Sequence, residues 1–466
     1  MKYSEFLQNK EVKIKNSGFT IDRGEINKNL FEYQKDIVQW AIKKGKAAIF
    51  SDCGTGKTLM QLEYAQKIYE HEHRNVLIIA PLNVVKQTSE IEAGKFEYTV
   101  TACRTQSDVK DGINITNYEM LEHFNASEFV GVILDESSIL KSFTSKTKEM
   151  IIDKFQDTPY KLACTATPSP NDFMELGNHC EFLNIMTRPE MLAEYFIHDG
   201  KDTAKWRLKG HAANDFWEWV ATWAVCIRKP SDLGYNDDGY ELPELNIKSM
   251  VLESETHEFE LVPMAAETLS ERREARKEGL NDRISKVAEM VNNSSEQWLV
   301  WCDYNDESEH LRKAIPEGVE VKGSDTPEFK EKSAIDFTKK NIRVLISKPS
   351  IFGFGSNWQN CHNVIFCGLS DSYEKFYQAL RRCWRYGQKN QVNAYIIITQ
   401  RETNVLDNIK RKQSQMDEMI SGMIGKMRDT TIAQIHHTKR ERTEYKPSIE
   451  FTLPDFMKGE NDGSIT

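Results

Sequence analysis

The run Ser51-Asp52-Cys53-Gly54-Thr55-Gly56-Lys57-Thr58 has the residue types of a phosphate cradle. It follows the apolar run AAIF (47–50) and precedes the helix-like LMQLEYAQKIY. Strand, glycine loop and helix together make backbone N–H groups and a helix N-terminus converge on an anion. In such a cradle Gly54, Thr55 and Gly56 let the backbone approach the phosphates. Lys57 reaches the β- and γ-phosphates, and the Thr58 hydroxyl ligates Mg²⁺. A second run, Asp135-Glu136-Ser137-Ser138, closes the apolar VGVIL. Asp135 at a strand end opposite the loop can hold Mg²⁺ through water, and Glu136 can orient and deprotonate an attacking water. Acidic residues after a strand are usually turn formers; their pairing with the upstream loop points to chemistry. ATP and Mg²⁺ are the expected cofactors.

Such side chains need a rigid sheet behind them. Short β-branched runs recur at AAIF (47–50), VLIIA (76–80), INIT (113–116), GVIL (131–134) and KLACT (161–165). They recur again at WLVW (298–301), VLIS (344–347), VIF (364–366) and YIII (395–398). Continuous apolar runs alternating with helical periodicity predict parallel strands covered on both faces, and two series predict two α/β domains. The bulk properties agree: 466 residues, 39% hydrophobic and 28% charged, suit a chain of two or three globular domains. The apolar runs are strand-length, too short to cross a bilayer. The start MKYSEFLQNK has no signal-like stretch, so a cytoplasmic protein with no membrane partner is expected. Nine scattered cysteines form no CxxC pair and read as reduced core thiols. The net charge of −10 argues against a general positive field for nucleic acid but permits a local basic groove.

With the two phosphate-site motifs in place, the chain resembles a superfamily 2 helicase of the Swi/Snf-like branch, in a compact bacterial or phage-type form. Leu30-Phe31-Glu32-Tyr33-Gln34, with Trp40 following, is similar to the family's adenine-reading segment. The resemblance implies that Gln34 pairs with the adenine edge, which the donor and acceptor of a carboxamide suit. Ala80-Pro81-Leu82 and Thr116-Asn117-Tyr118-Glu119 resemble motifs that grip a nucleic-acid backbone, so Pro81, Thr116 and Asn117 are candidate contacts. Thr165-Ala166-Thr167-Pro168 resembles the coupling motif and marks Thr165 and Thr167. Gly353-Phe354-Gly355-Ser356-Asn357-Trp358 resembles GLGINL, which implies nucleotide contacts from Gly355 and Asn357. Gln378-Ala379-Leu380-Arg381-Arg382-Cys383-Trp384-Arg385-Tyr386-Gly387-Gln388 resembles QAxxRxxRxGQ. That likeness marks Gln378 as a coupling residue and Arg382 and Arg385 as catalytic arginines, alongside Lys57, Asp135 and Glu136. Arginines three apart share one helix face and can meet charge on the γ-phosphate from the opposite domain. The departures are Ser51 at the start of the phosphate loop and DESS in place of DEAH.

The resemblance implies an α/β fold of two RecA-like domains, parallel sheets flanked by helices, with the ATP site in the cleft between them. The expected division is 1–250 for the first domain, with a helical insertion near 185–250, then 251–438 for the second and a polar tail at 439–466. It implies a nucleic-acid-dependent ATP hydrolase, a helicase or translocase, with DNA expected more than RNA. The alternatives are an RNA helicase or a nucleotide-gated DNA-binding module serving a partner nuclease or methylase. Partner proteins of replication, recombination or restriction fit such a motor. Outside the motifs, Trp217, Trp219 and Trp223 sit at helical spacing and read as packing residues rather than base-stacking platforms. Trp206, Arg207, Lys209 and His211 form a mixed cluster equally suited to packing or to a phosphate backbone. ERREARKE (271–278) reads as a solvated helix face, and His436-His437 as solvated.

Overall fold

The computed structural model describes residues 16–141, 145–199, 202–254, 266, 268–353 and 356–435. Gly355, His436-His437 and the expected tail at 439–466 lie outside the described residues. The first sheet contains β1 (Lys46–Ser51), β2 (Val76–Ala80), β3 (Val100–Ala102), β4 (Ile113–Asn117), β5 (Gly131–Asp135) and β6 (Tyr160–Thr165). An antiparallel hairpin follows, β7 (Phe196–Asp199) with β8 (Asp202–Leu208), and then β9 (Ala224–Ile227). The strand order is β3-β4-β2-β5-β6-β1-β9, and every pairing in this sheet is parallel. Strands β2, β4, β5 and β6 are buried along their whole length, which is why they read as unbroken apolar runs rather than alternating ones.

The second sheet holds β10 (Leu245–Leu252), β11 (Trp298–Trp301), β12 (Gly318–Glu320), β13 (Val344–Ser347), β14 (Asn363–Cys367) and β15 (Val392–Thr399). Its order is β10-β15-β14-β11-β13-β12, again parallel throughout. The expected α/β fold of two parallel-sheet domains flanked by helices therefore holds. Among the described residues no helix is long and apolar enough to cross a membrane.

Three details of the expected organisation are corrected. The boundary at 250/251 falls inside β10, which pairs with β15 from Leu245↔Val392 to Leu252↔Thr399, so the second domain begins before Leu245. Only a partner distant in the chain reveals that membership. The stretch near 185–250 is not a helical insertion alone: it carries the β7–β8 hairpin, and its β9 pairs with β1 and completes the first sheet. The run ERREARKE is solvated at Glu271, Arg273, Glu274, Lys277 and Glu278, as expected, but not along its whole length. Arg276 turns inward, 6% exposed, and holds Glu307 at 2.6 Å, with Arg283 bridging Glu307 and Glu402 at 3.2 and 2.7 Å. A guanidinium fork can satisfy several acceptors at once, which is what permits this burial.

The final helix, Thr403–Ile435, leaves the second domain and packs on the helix Ala213–Ala221, on β9 and on the helix Glu32–Lys44 of the first. It buries Met416, Met419, Met423 and Met427, and Asp417 meets Arg228 at 2.7 Å. Trp217, Trp219 and Trp223 are buried here, as the packing reading expects. All nine cysteines are free, and only Cys53 escapes full burial.

Candidate active site in the cleft between the domains

The phosphate loop sits at the C-terminal end of β1 and leads into the helix Lys57–Glu72. Gly54 and Gly56 have φ of +92° and +83°, a left-handed backbone that a side chain would strain. A Cβ on Gly56 would also displace the Gln34 carboxamide that packs against the loop. Ser51 and Thr55 hydroxyls pair within the loop, and Thr55 Oγ1 donates to the Asp52 carbonyl at 2.6 Å. Lys57 Nζ donates to the carbonyls of Ser51 and Asp52 at 2.7 and 3.2 Å, so among the described residues its hydrogen bonds go to the backbone.

Two strands away in the sheet, β5 delivers Asp135 and Glu136 to the same edge. Gln61, on the helix that follows the phosphate loop, donates to Asp135 Oδ1 at 2.7 Å and locks loop and carboxylate together. The backbone bends sharply after the strand: Glu136 has φ +55°. A non-glycine residue there costs about 1–3 kcal/mol and is held by its surroundings. Those surroundings include the Ser137 hydroxyl against His179 Nε2 at 3.1 Å. Burial raises the carboxyl of Asp135 above its usual range and pushes Glu136 up to about 7, opposed in both by the nearby Lys57 charge.

The second domain closes over this edge. Gln378 Nε2 reaches Glu136 Oε2 at 3.5 Å, and Thr165 Oγ1 reaches the same oxygen at 3.4 Å. Arg382 donates to the Gln378 carbonyl at 2.9 Å and to the Ser356 carbonyl at 3.2 Å, and Arg385 donates to the Ser356 carbonyl at 3.3 Å. Among the described residues neither is paired with a carboxylate. Burial, reinforced by their mutual repulsion, pushes Arg385 below the usual arginine range, and burial does the same to Arg382. Two guanidinium groups, one buried and one half-buried, that bond directly to no carboxylate among the described residues fit an anionic ligand, and the glycine cradle opposite fits its phosphates. Thr58 and Asp135 supply the hydroxyl and carboxylate that Mg²⁺ takes in phosphate-loop enzymes.

Other expected residues fall in different places. Gln34 is 2% exposed, accepts from the Phe31 N–H at 2.9 Å and donates to the Thr55 carbonyl at 2.8 Å, so its carboxamide ties the loop to its own helix. Pro81 caps the short helix after β2. Asn117 accepts the Met120 N–H at 3.0 Å, which is a capping contact. Thr116 and Thr167 are buried with hydroxyls that have no protein partner, and Asn357 is exposed. Sequence reasoning missed Asp52, Tyr377 and Arg381, which join the domains. Tyr377 donates to Asp52 Oδ1 at 2.5 Å, and Arg381 donates to Asp52 Oδ2 at 3.0 Å and to the Cys53 carbonyl at 2.6 Å. The available signal was an acid and a base inside two motifs expected to face each other.

Two family models match the chain: an SNF2-related domain over residues 33–196 and a helicase conserved C-terminal domain over 282–387. The first contains the phosphate loop and both acids, and the second ends on the arginine segment. The chain belongs to the Swi/Snf-like branch of the superfamily 2 helicases. That family is one of nucleic-acid-dependent ATP hydrolases, the enzyme class the motifs lead one to expect. The human DNA excision repair protein ERCC-6-like is 29% identical over 195 residues, 36% of this chain and 15% of that protein. Its mouse counterpart is 28% identical over 198 residues, 37% of this chain and 16% of that protein. The matched region is thus a small part of each relative. The Sulfolobus solfataricus SWI2/SNF2 ATPase core in complex with dsDNA aligns at 17% identity and a TM-score of 0.42, covering 90% of this chain and 99% of that one.

Proposed function

We propose that this Swi/Snf-like chain is an ATP-driven motor that moves along or remodels DNA. The observation that carries the reading is the pair Arg382, buried, and Arg385, half-buried, which pair with no carboxylate among the described residues beside the phosphate loop of the other domain. Charges so placed are costly unless an anion joins them, and a nucleoside triphosphate in the glycine cradle supplies that anion. In this reading Lys57 leaves its backbone acceptors for the β- and γ-phosphates. Thr58 and Asp135 hold Mg²⁺, which neutralises charge on the phosphate oxygens when bound. Glu136 takes a proton from the attacking water, oriented by Thr165 and Gln378. Arg382 and Arg385 stabilise charge on the transferring group.

Adenine reading by Gln34 requires its Nε2 to exchange the Thr55 carbonyl for the base, so base recognition and loop geometry are linked in one side chain. Pro81 and Asn117, at the C-terminal ends of first-domain strands, are the proposed grip on the strand, whereas Thr116 is fully buried and Thr167 belongs to the coupling segment. The names of the relatives, which are DNA excision repair proteins, support DNA over RNA. Closing and reopening of the cleft then alternates that grip. The deciding experiment is ATP hydrolysis measured side by side with single-stranded, duplex and forked DNA and with RNA. Stimulation by duplex or forked DNA supports the motor. Stimulation by RNA alone, or no hydrolysis with any of them, refutes it.

A further inference from the structure

The segment carrying the two unpaired arginines is fixed by a third. Arg381 is 3% exposed and lies between the rings of Trp384 and Tyr377, 4.9 and 5.7 Å from their centroids. Its guanidinium spans the domain boundary to the Asp52 carboxylate at 3.0 Å and the Cys53 carbonyl at 2.6 Å. Tyr377 donates to the other carboxylate oxygen at 2.5 Å, and that oxygen also accepts the Cys53 N–H at 2.6 Å. Nearby the two domains touch directly: a Cβ on Gly54 would lie 3.2 Å from Tyr386 Cβ and 3.3 Å from its backbone nitrogen.

We propose that Asp52, Arg381 and Tyr377 form a latch that docks the second domain on the phosphate loop before nucleotide arrives, so that Arg382 and Arg385 are preset over the site. Burial of both partners sets the pair apart from the cross-domain ion pairs Lys141–Glu374, whose lysine is 37% exposed, and Lys86–Glu331. Lys86–Glu331 leaves 53% and 43% of the two side chains exposed, whereas Arg381 and Asp52 leave 3% and 15%. Solvent screens the exposed pair, while breaking the buried one strands a charge. Arg381, Arg382 and Arg385 share one tight segment, since the Arg382 N–H bonds the Ala379 carbonyl and the Arg385 N–H the Cys383 carbonyl. Fixing the first therefore orients the other two. Arg381, Asp52 and Tyr377 are positioning residues.

A latch of this kind raises the fraction of molecules already closed, and apparent ATP affinity scales with that fraction. This kinetic consequence rests on the ATPase reading above; the closure itself does not. The test measures the radius of gyration of the nucleotide-free full chain by solution X-ray scattering, together with KM and kcat for ATP on duplex DNA. Arg381→Met should enlarge the free protein, and a non-hydrolysable ATP analogue should restore its compactness. KM should rise about tenfold, well beyond the change in kcat. Tyr377→Phe, which removes one hydroxyl from the packed interior, should move both readouts the same way by less. It keeps the test open should Arg381→Met fail to fold. Arg381→Lys should rescue only part, because one ammonium cannot serve the carboxylate and the carbonyl with the same fork. A wild-type radius in folded Arg381→Met or in Tyr377→Phe overturns the latch, whatever KM does. So does a collapse of kcat at unchanged KM. If the wild type hydrolyses nothing, the motor reading fails, and the scattering comparison still decides the latch.

Discussion

Lys57 and Glu136 each carry a charge whose value depends on a ligand. Lys57 rests on two backbone carbonyls, which cost little to leave. Lys57→Ala should keep the wild-type melting temperature and lose at least about 100-fold in ATP turnover, because it deletes a charge contact with the transferring phosphate. Normal turnover in the folded variant would remove the phosphate-loop assignment. Glu136 is pushed up to about 7 by burial. Its carboxylate, the form that accepts a proton, grows in as pH rises through that value. The rate kcat/KM for ATP should therefore show an acid limb near pH 7, and Glu136→Gln should abolish both the limb and most turnover while leaving ATP binding measurable. Wild-type turnover in folded Glu136→Gln would exclude Glu136 as the base. The residue types and spacing announced these groups. The +55° turn that aims Glu136, and the burial that sets its proton affinity, come from neighbours such as Gln378 and Thr165.

At the scale of elements, the segment after Gln378 is the most informative. Its sequence resembles a helix presenting Arg382 and Arg385 together, but the regular helix Tyr373–Leu380 ends before both, and a tight turn carries them. The arginines still converge, through the shared Ser356 carbonyl. Arg385→Ala should retain nucleic-acid binding and lose roughly 10³–10⁵ in DNA-stimulated hydrolysis. Arg385→Lys should recover little, because a point charge cannot copy a planar fork. Near-normal stimulated rates in Arg385→Ala would mean that the cleft does not close on one nucleotide. Strands were legible where they are buried on both faces, as in VLIIA and WLVW. The edge strands β3 and β12 are short, and β10 is partly exposed. Such strands lack an unbroken apolar run, so only their pairing partners define them.

Across the whole molecule, the helix Thr403–Ile435 straps the second domain to the first through a row of methionines. Met423 is 0% exposed, and Met423→Ala should cost about 2–5 kcal/mol in chemical unfolding. An unchanged unfolding midpoint would show that the strap does not hold the domains. With a net charge of −10, DNA binding should depend on a few phosphate contacts. The logarithm of the affinity should then fall linearly with the logarithm of salt, with a slope of about 0.9 per contact. A slope near zero in a titration from low to physiological salt would refute a phosphate-dominated interface.

The sequence by itself determined what is local. The glycine loop, the acid pair and the apolar strands are specified by residues adjacent in the chain, because a turn needs its glycines and a doubly covered strand needs its apolar run. The order of motifs further placed this chain in its family. Tertiary structure decided what depends on distant partners. It turned Gln34 toward the phosphate loop and buried Arg276 against Glu307. It carried β10 into the second sheet and folded the last helix back onto the first domain. It also joined Asp52 to Arg381 across the cleft, a pairing set by desolvation and charge in three dimensions and by no spacing along the chain.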